Sequence, residues 1–144
     1  MKSLALRLGI IGVLAVVGFF VQQYVSKAAE DLKVGDCFDP PSVEIETVDD
    51  VKPHPCSDPH GAEVFFVGKL ADAQTVPTDA EIETWVSDNC YSAFASYTGA
   101  EMTEEMYLGF FSPTSEGWSR GDHTVQCYVG KDDDSNMTGS LKKT

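Results

Sequence analysis

Hydrophobic residues are distributed as one continuous apolar segment followed by shorter, mostly amphipathic segments. Residues 8–25 form the apolar segment, 18 residues without a charged side chain, and Lys2 and Arg7 precede it. A run of about 18 residues is near the lower limit for a helix that crosses the hydrocarbon core of a membrane, and basic residues before it stay in the cytoplasm. The pattern therefore predicts export, with the rest of the chain beyond the cell membrane.

Two fates are open for this segment. As an uncleaved anchor over residues 1–25, it would make the protein single-pass, and the polar and aromatic residues at its end suit the membrane interface. As a signal peptide it would be removed after the small-x-small site Ser26-Lys27-Ala28, and the protein would be secreted. We favour the anchor. No cysteine lies close to the end of the run, which excludes a lipoprotein-type lipid attachment.

Five later segments have the composition of strands. They are residues 32–38, 43–47, 62–70, 106–111 and 124–129. Residues 43–47 alternate apolar and acidic side chains, the period of two that leaves one strand face in water. Val125, Cys127 and Val129 share one face of the last strand. Residues 52–60 hold three prolines, which fix φ and lack a backbone donor, so they predict a loop.

One segment beyond the apolar run has helical periodicity. Residues 78–97 begin with Thr78, and Glu81 three positions later completes a capping box. Gly99 lies just past the predicted end, where a left-handed residue often stops a helix. Apolar residues recur at spacings of three and four and predict one buried face. They are Ile82, Trp85, Val86, Cys90, Ala93, Phe94 and Tyr97.

Strands, one helix and further strands with short connections indicate an α+β domain. We expect a small antiparallel sheet covered on one face by the helix. The chain then divides into an anchor or signal segment (1–25), a linker (26–31), a domain (32–130) and a polar C-terminal tail (131–144). The tail has little core-forming material and is expected to be mobile.

The charge balance limits the partners. The chain has 10 Lys and Arg against 23 Asp and Glu, a formal net charge of −13. An acidic surface repels phosphate backbones, and no basic cluster offsets it, so nucleic acid is not expected as a partner.

All four cysteines follow the apolar segment, in the compartment where disulfides form. Four cysteines allow three connectivities, and the sequence does not decide among them. We favour Cys37 with Cys56, which would attach the proline-rich loop to the first strand, and Cys90 with Cys127, which would join the buried faces of the helix and the last strand. Each closure is worth roughly 3 to 4 kcal/mol in the loop-entropy model, so losing either should impair folding.

The densest set of chemically active side chains lies before the predicted strand at residues 62–70. Asp58, His60 and Glu63 could bind a metal with His123, provided that the segments before two strands meet in space. The competing reading is a turn at Asp58-Pro59 in which the His60 ring satisfies backbone groups, and we favour it. No catalytic or zinc motif is present, and we expect no cofactor.

Two residues could serve a partner-binding surface. His60 lies at a loop, and Trp118 lies in a turn-rich connection over residues 112–121, where aromatic side chains are favoured binding anchors. In a small domain Trp118 is more often core. The acidic run Asp132-Asp133-Asp134 offers oxygen ligands, but it lacks the glycine and distal glutamate of a calcium-binding EF-hand loop.

Several motifs together resemble the septum-formation domain of actinobacterial envelope proteins. They are Val34-Gly35-Asp36-Cys37-Phe38, Pro55-Cys56-Ser57-Asp58-Pro59-His60, Ala62-Glu63-Val64-Phe65, Cys90 with Phe94 and Tyr97-Thr98-Gly99, Pro113, Trp118, Gly121-Asp122, Val125-Gln126-Cys127 and Gly139-Ser140-Leu141. Gly61 and His123 depart from the pattern, where a polar residue and an arginine are more usual. The resemblance implies an extracytoplasmic domain beside one transmembrane helix, and it implies no catalytic mechanism.

The favoured function is a non-enzymatic binding module that residues 8–25 hold at the membrane. It would bind an envelope or division protein during septum formation, as the resemblance implies. A metal-dependent hydrolase or metal-binding protein built on His60, Asp58 and His123, and a freely secreted effector, are the alternatives.

Overall fold

The computed structural model describes residues 29–41 and 51–144. The elements in this part of the chain are a 3₁₀ turn (Ala29–Asp31), β1 (Cys37–Asp39), β2 (Lys52–His54), β3 (Ala62–Lys69), α1 (Asp79–Thr98), β4 (Met106–Phe111), α2 (Ser115–Ser119) and β5 (Thr124–Lys131). The predicted apolar segment at residues 8–25 and the predicted strand at residues 43–47 lie outside the described residues. Within the described ranges, no helix has both the length and the apolar character needed to span a membrane.

The five strands form one antiparallel sheet in the order β2-β1-β3-β5-β4. The two longest strands, β3 and β5, lie side by side at its centre, with Ala62 opposite Gly130 at one end and Lys69 opposite Thr124 at the other. Neighbouring strands therefore enter the sheet from opposite ends. Loops that precede two neighbouring strands consequently lie far apart.

Helix α1 covers one face of the sheet, as predicted. Thr78 and Glu81 form the capping box, and Gly99 ends the helix with a φ of 77°, a conformation that glycine adopts at little cost. The buried side of the helix packs on Phe65 of β3 and on the inward residues of β5. The buried cluster comprises Phe65, Leu70, Ile82, Val86, Cys90, Phe94, Tyr97, Trp118, Val125, Cys127 and Val129.

A second apolar cluster lies on the opposite face of the sheet, which the sequence pattern did not predict. Its buried members are Leu32, Phe38, Val51, Ala62 and Val64. An irregularity in β3 explains how one strand serves both clusters: Val64 and Phe66 pair with the adjacent residues Tyr128 and Cys127. The extra residue, Phe65, breaks the alternation and points to the helix side.

Three local predictions were wrong. The first strand is shorter than residues 32–38, because Gly35, at a φ of 92°, lies in a turn before it. Residues 52–54 of the predicted loop form β2, which tolerates Pro53 because an edge strand need not donate from every residue. The connection at residues 112–121 contains α2, which Thr114 caps by accepting a hydrogen bond from Gly117 N–H.

The C-terminal residues contact the domain instead of extending from it, against the expectation of a mobile tail. Met137 exchanges two backbone hydrogen bonds with His60, of 2.7 and 3.0 Å, and is itself buried. Further on, Gly139 N–H donates to Cys56 O, and Lys143 N–H donates to Tyr97 O. Composition did not reveal this docking because backbone groups, Met137 and hydrogen bonds from Ser140 and Leu141 to Glu63 provide it.

Candidate functional site

The two disulfides join the predicted pairs. Cys37 and Cys56 connect β1 to the loop after β2, with 5.3 Å between their Cα atoms. Cys90 of α1 and Cys127 of β5 connect the helix to the sheet, and neither is exposed to solvent. The two cysteines of the first disulfide differ in exposure: Cys37 is 1% exposed, whereas Cys56 is partly exposed.

His60 is enclosed beside this first disulfide. It is fully buried, and its Nδ1 lies 2.8 Å from the backbone oxygen of Asp58. The ring therefore hydrogen-bonds a backbone group of the turn at Asp58-Pro59, as predicted. The other ring nitrogen, Nε2, is buried and has no hydrogen-bond partner among the described residues. A buried polar atom in that position requires a physical explanation.

Glu63 is a fully buried carboxylate with three donors. Its Oε1 accepts hydrogen bonds from the hydroxyls of Tyr97 and Ser140, both at 2.6 Å, and its Oε2 accepts one from Leu141 N–H at 2.8 Å. These contacts tie β3, the last turn of α1 and the C-terminal segment to one side chain. With three donors, the hydrogen-bonding capacity of this buried side chain is largely satisfied.

Tyr97 is held as a donor by its surroundings. Burial, together with the hydrogen bond to Glu63, raises the pKa of Tyr97 to about 12. The phenol therefore stays protonated at neutral pH and donates to the carboxylate. Its position follows from helix periodicity, because Tyr97 is the last residue of the buried stripe of α1.

Cys37, His60 and Glu63 come together at this point. A ring nitrogen of His60, the Sγ of Cys37 and a carboxylate oxygen of Glu63 all lie within 4.8 Å of one another. These residue types are metal ligands, but the sulfur is bonded to Cys56, and a disulfide sulfur is not the thiolate that a metal binds. Cys37 was not among the residues proposed from the sequence as metal ligands, because only the pairing of β1 with β3 brings it to Glu63.

His123 lies far from this cluster, so the predicted metal set of His60, Asp58 and His123 is not assembled. His60 precedes β3 and His123 precedes β5, and the antiparallel register places the two starts at opposite ends, roughly 20 Å apart at about 3.3 Å per residue. His123 Nδ1 lies 2.6 Å from Asp72 Oδ1. The expectation failed because segments that precede neighbouring strands meet only when the strands are parallel.

Trp118 belongs to the core and not to an exposed surface. It is 7% exposed, stacks on His123 with 4.0 Å between ring centroids, and donates from Nε1 to Ala73 O at 3.2 Å. Neither predicted partner-binding residue, Trp118 or His60, is accessible to a partner in this conformation.

An open groove lies at the end of the sheet, on the face away from α1, with a volume of about 560 Å³. We call it the tyrosine groove. Its lining residues are Asp39, Pro40, Pro41, Gly61, Tyr107, Tyr128, Lys131, Asp132, Asp134 and Asn136. A second cleft, lined by Glu104, Glu105, Met106, Lys131, Asp132 and Asp133, adjoins it and shares Lys131 and Asp132. The groove and the cleft together present a strongly acidic surface.

Two reciprocal tyrosine–glycine pairs build the aromatic part of the groove. Tyr107 of β4 lies opposite Gly130 of β5, and Gly109 of β4 lies opposite Tyr128. Each ring covers the glycine across from it so closely that a Cβ on either glycine would collide with that ring. The signal in the sequence is a tyrosine two residues before a glycine in both strands, a spacing that puts each pair on one strand face.

Both phenols remain neutral at ordinary pH. Burial raises the pKa of Tyr128 to about 12, and the neighbouring Tyr107 adds to the effect. Burial, followed by the charge of Asp134, also raises the pKa of Tyr107. The rings therefore offer neutral faces and hydroxyl donors between acidic side chains.

These features define a small α+β domain held together by two disulfides, with its buried carboxylate and histidine enclosed and an acidic aromatic groove open to solvent. The family model for septum formation matches residues 14–127. The match covers more than half of the chain, so the protein belongs to the septum formation family. No curated protein and no solved structure is detectably similar to it.

Proposed function

We propose that this protein is a membrane-tethered binding module that acts outside the cytoplasm in septum formation, with the tyrosine groove as its contact surface for a cationic segment of an envelope or division protein. The observation that carries the proposal is the groove itself. It is an open concavity in which two tyrosine rings lie among Asp39, Asp132 and Asp134.

The chemistry of the groove favours a cationic partner. Lysine and arginine side chains bind to carboxylates and also to the faces of tyrosine rings. The whole molecule adds a field of the same sign, since the formal net charge is −13, and such a field accelerates encounter with a cationic surface. Lys131 in the lining would disfavour a uniformly basic ligand and so help to fix the register of the bound segment.

The side chains best suited to catalysis are buried or already paired. His60 and Glu63 are fully buried, and His123 is paired with Asp72 at the other end of the sheet. A substrate that reaches the groove would meet aspartate carboxylates and the phenols of Tyr107 and Tyr128. This supports binding without catalysis as the role of the groove.

The tether is proposed from the N-terminal segment. Residues 8–25 follow two basic residues, and the family match starts at residue 14, within that segment. Part of the apolar run therefore belongs to what the family shares, which favours a retained anchor over a removed signal peptide. Two disulfides support an oxidising compartment for the domain.

The test replaces the gene by groove variants in cells of the native host. Asp132→Asn with Asp134→Asn removes two charges from the groove, and asparagine tolerates the left-handed φ of 57° at position 134. We expect cells carrying this variant to form fewer or misplaced septa, as in a deletion strain. The matched control, Glu83→Gln with Asp88→Asn, removes two charges from the exposed side of α1 and should divide normally.

Two results would contradict the proposal. Normal division in a clean deletion strain would remove the role in septum formation. Normal division in the groove variant, with a deletion phenotype otherwise present, would remove the groove as the contact surface. Intact mass spectrometry of the membrane and secreted fractions decides the tether, because a secreted species that begins near residue 29 would identify a freely secreted effector instead.

A further inference from the structure

We propose that reduction of the Cys37–Cys56 disulfide creates a binding site for a divalent metal that accepts sulfur and nitrogen ligands, Zn²⁺ above all. The site consists of Cys37, Cys56, His60 and Glu63, which we call the His60 cluster. The proposal does not depend on the groove or on a role in septum formation.

The His60 ring is already oriented as a metal ligand requires. The backbone oxygen of Asp58 can only accept a hydrogen bond, so the Nδ1 that lies 2.8 Å from it carries the proton. In the neutral ring, Nε2 then has a free lone pair, and that atom is buried without a partner among the described residues. Metal-binding histidines typically donate their second nitrogen to such a carbonyl, which fixes the tautomer and the ring orientation.

The ligand atoms are close enough for one ion. One of the two ring nitrogens of His60, the Sγ of Cys37 and a carboxylate oxygen of Glu63 lie within 4.8 Å of one another. Zn²⁺ holds nitrogen, sulfur and oxygen ligands at about 2.0–2.3 Å, so shifts on the order of 1 Å would bring the three atoms onto one ion. The Sγ of Cys56, now bonded to that of Cys37, would complete a tetrahedral set of two sulfurs, one nitrogen and one oxygen.

Reduction is needed because a disulfide sulfur offers no thiolate. A dithiol reductant transfers two electrons and two protons to the disulfide, leaves Cys37 and Cys56 as thiols and itself becomes a disulfide. Binding of Zn²⁺ to the pair then releases the two thiol protons. Glu63 would contribute a carboxylate oxygen that already lies beside the sulfur and the ring.

The burial of the sulfurs makes the reduction selective. Cys56 is partly exposed, so a thiolate reductant can attack its sulfur, form a mixed disulfide and expel Cys37 beside His60. The second thiol of the reductant then releases Cys56. Cys90 and Cys127 are fully buried, so their disulfide is expected to survive and to hold the helix on the sheet.

The experiment uses the full chain in detergent. It is treated with dithiothreitol, freed of reductant without oxygen, and titrated with Zn²⁺ and then with Co²⁺ as a coloured substitute. We expect one Zn²⁺ per reduced chain and no stoichiometric Zn²⁺ on the oxidised chain. Bound Zn²⁺ should protect Cys37 and Cys56 from alkylation and raise the Tm of the reduced chain, and Co²⁺ should give a thiolate charge-transfer band.

A histidine pair provides the matched variants. His60→Gln should weaken Zn²⁺ binding by at least about tenfold, because loss of even an outer-shell partner of a metal ligand costs about that much, whereas His123→Gln at the other end of the sheet should leave binding unchanged. Should His60→Gln fail to fold, a scalar coupling between bound cadmium and Nε2 of His60 in the unaltered chain makes the same distinction.

Several outcomes would overturn the proposal. They are a reduced chain that binds no stoichiometric Zn²⁺, equal binding by the oxidised chain, protection that falls on Cys90 and Cys127, and a reduced chain that unfolds and does not refold with Zn²⁺. Absence of the cadmium coupling to His60 would overturn it as well.

Discussion

At the scale of single residues, Glu63 joins three parts of the chain through its carboxylate. Tyr97 of α1 and Ser140 and Leu141 of the C-terminal segment all donate to it. A buried carboxylate without such donors would be strongly destabilising, so each donor matters more than a surface hydrogen bond would. This arrangement explains why a polar C-terminal segment docks on the domain.

The first prediction removes one of these donors. Tyr97→Phe keeps the ring in the core but leaves Glu63 with one hydrogen bond fewer, and we expect a loss of about 1–3 kcal/mol in the free energy of unfolding. Urea denaturation measures it. Tyr91→Phe is the control, because Tyr91 lies on the same helix and is 54% exposed. Equal stability of the two variants would contradict the role assigned to the Tyr97 hydroxyl.

At the scale of elements, α1 is determined largely by its own residues. Its capping box, apolar stripe and terminal glycine all lie within the helix or one residue from its ends. The strands β4 and β5 differ, because their tyrosines and glycines acquire a role only when the register sets each ring over a glycine of the other strand.

The second prediction concerns the start of α1. Thr78→Ala removes the hydroxyl that accepts from Glu81 N–H, and loss of such a cap costs about 1 kcal/mol of stability. Thermal denaturation followed by circular dichroism measures it. Thr84→Ala makes the same chemical change at an exposed position inside the helix and should leave stability nearly unchanged. A Thr78→Ala chain as stable as the Thr84→Ala chain would show that the cap is not needed.

At the scale of the whole molecule, the two disulfides hold different layers together. Cys37–Cys56 spans 19 positions at one end of the sheet, and Cys90–Cys127 spans 37 positions between helix and sheet. A domain of this size has a modest core, so covalent closure of the unfolded chain is a large part of its stability.

The third prediction tests that contribution. Cys90→Ser with Cys127→Ser should lose roughly 3–4 kcal/mol in the free energy of unfolding, because the unfolded chain regains the entropy of the open loop. Chemical denaturation without reductant measures it. Cys37→Ser with Cys56→Ser opens a shorter loop and should lose slightly less. An unchanged Tm in the first double variant would contradict the prediction.

Much of this protein follows from the sequence. The capping box at Thr78, the stripe that ends at Tyr97, the strand over residues 106–111 and the family resemblance depend on residues close together in the chain, so local patterns reveal them. The favoured cysteine pairing was also correct, because helical and strand periodicities place Cys90 and Cys127 on buried faces that pack together.

Only the tertiary structure decided which distant residues meet. The antiparallel order of β3 and β5 separated His60 from His123, and the pairing of β1 with β3 brought Cys37 to Glu63. The register of β4 on β5 formed the floor of the tyrosine groove. The physical reason is that the period of two along a strand determines only which face of the sheet a side chain occupies. Strand order, direction and register depend on the packing of the whole domain.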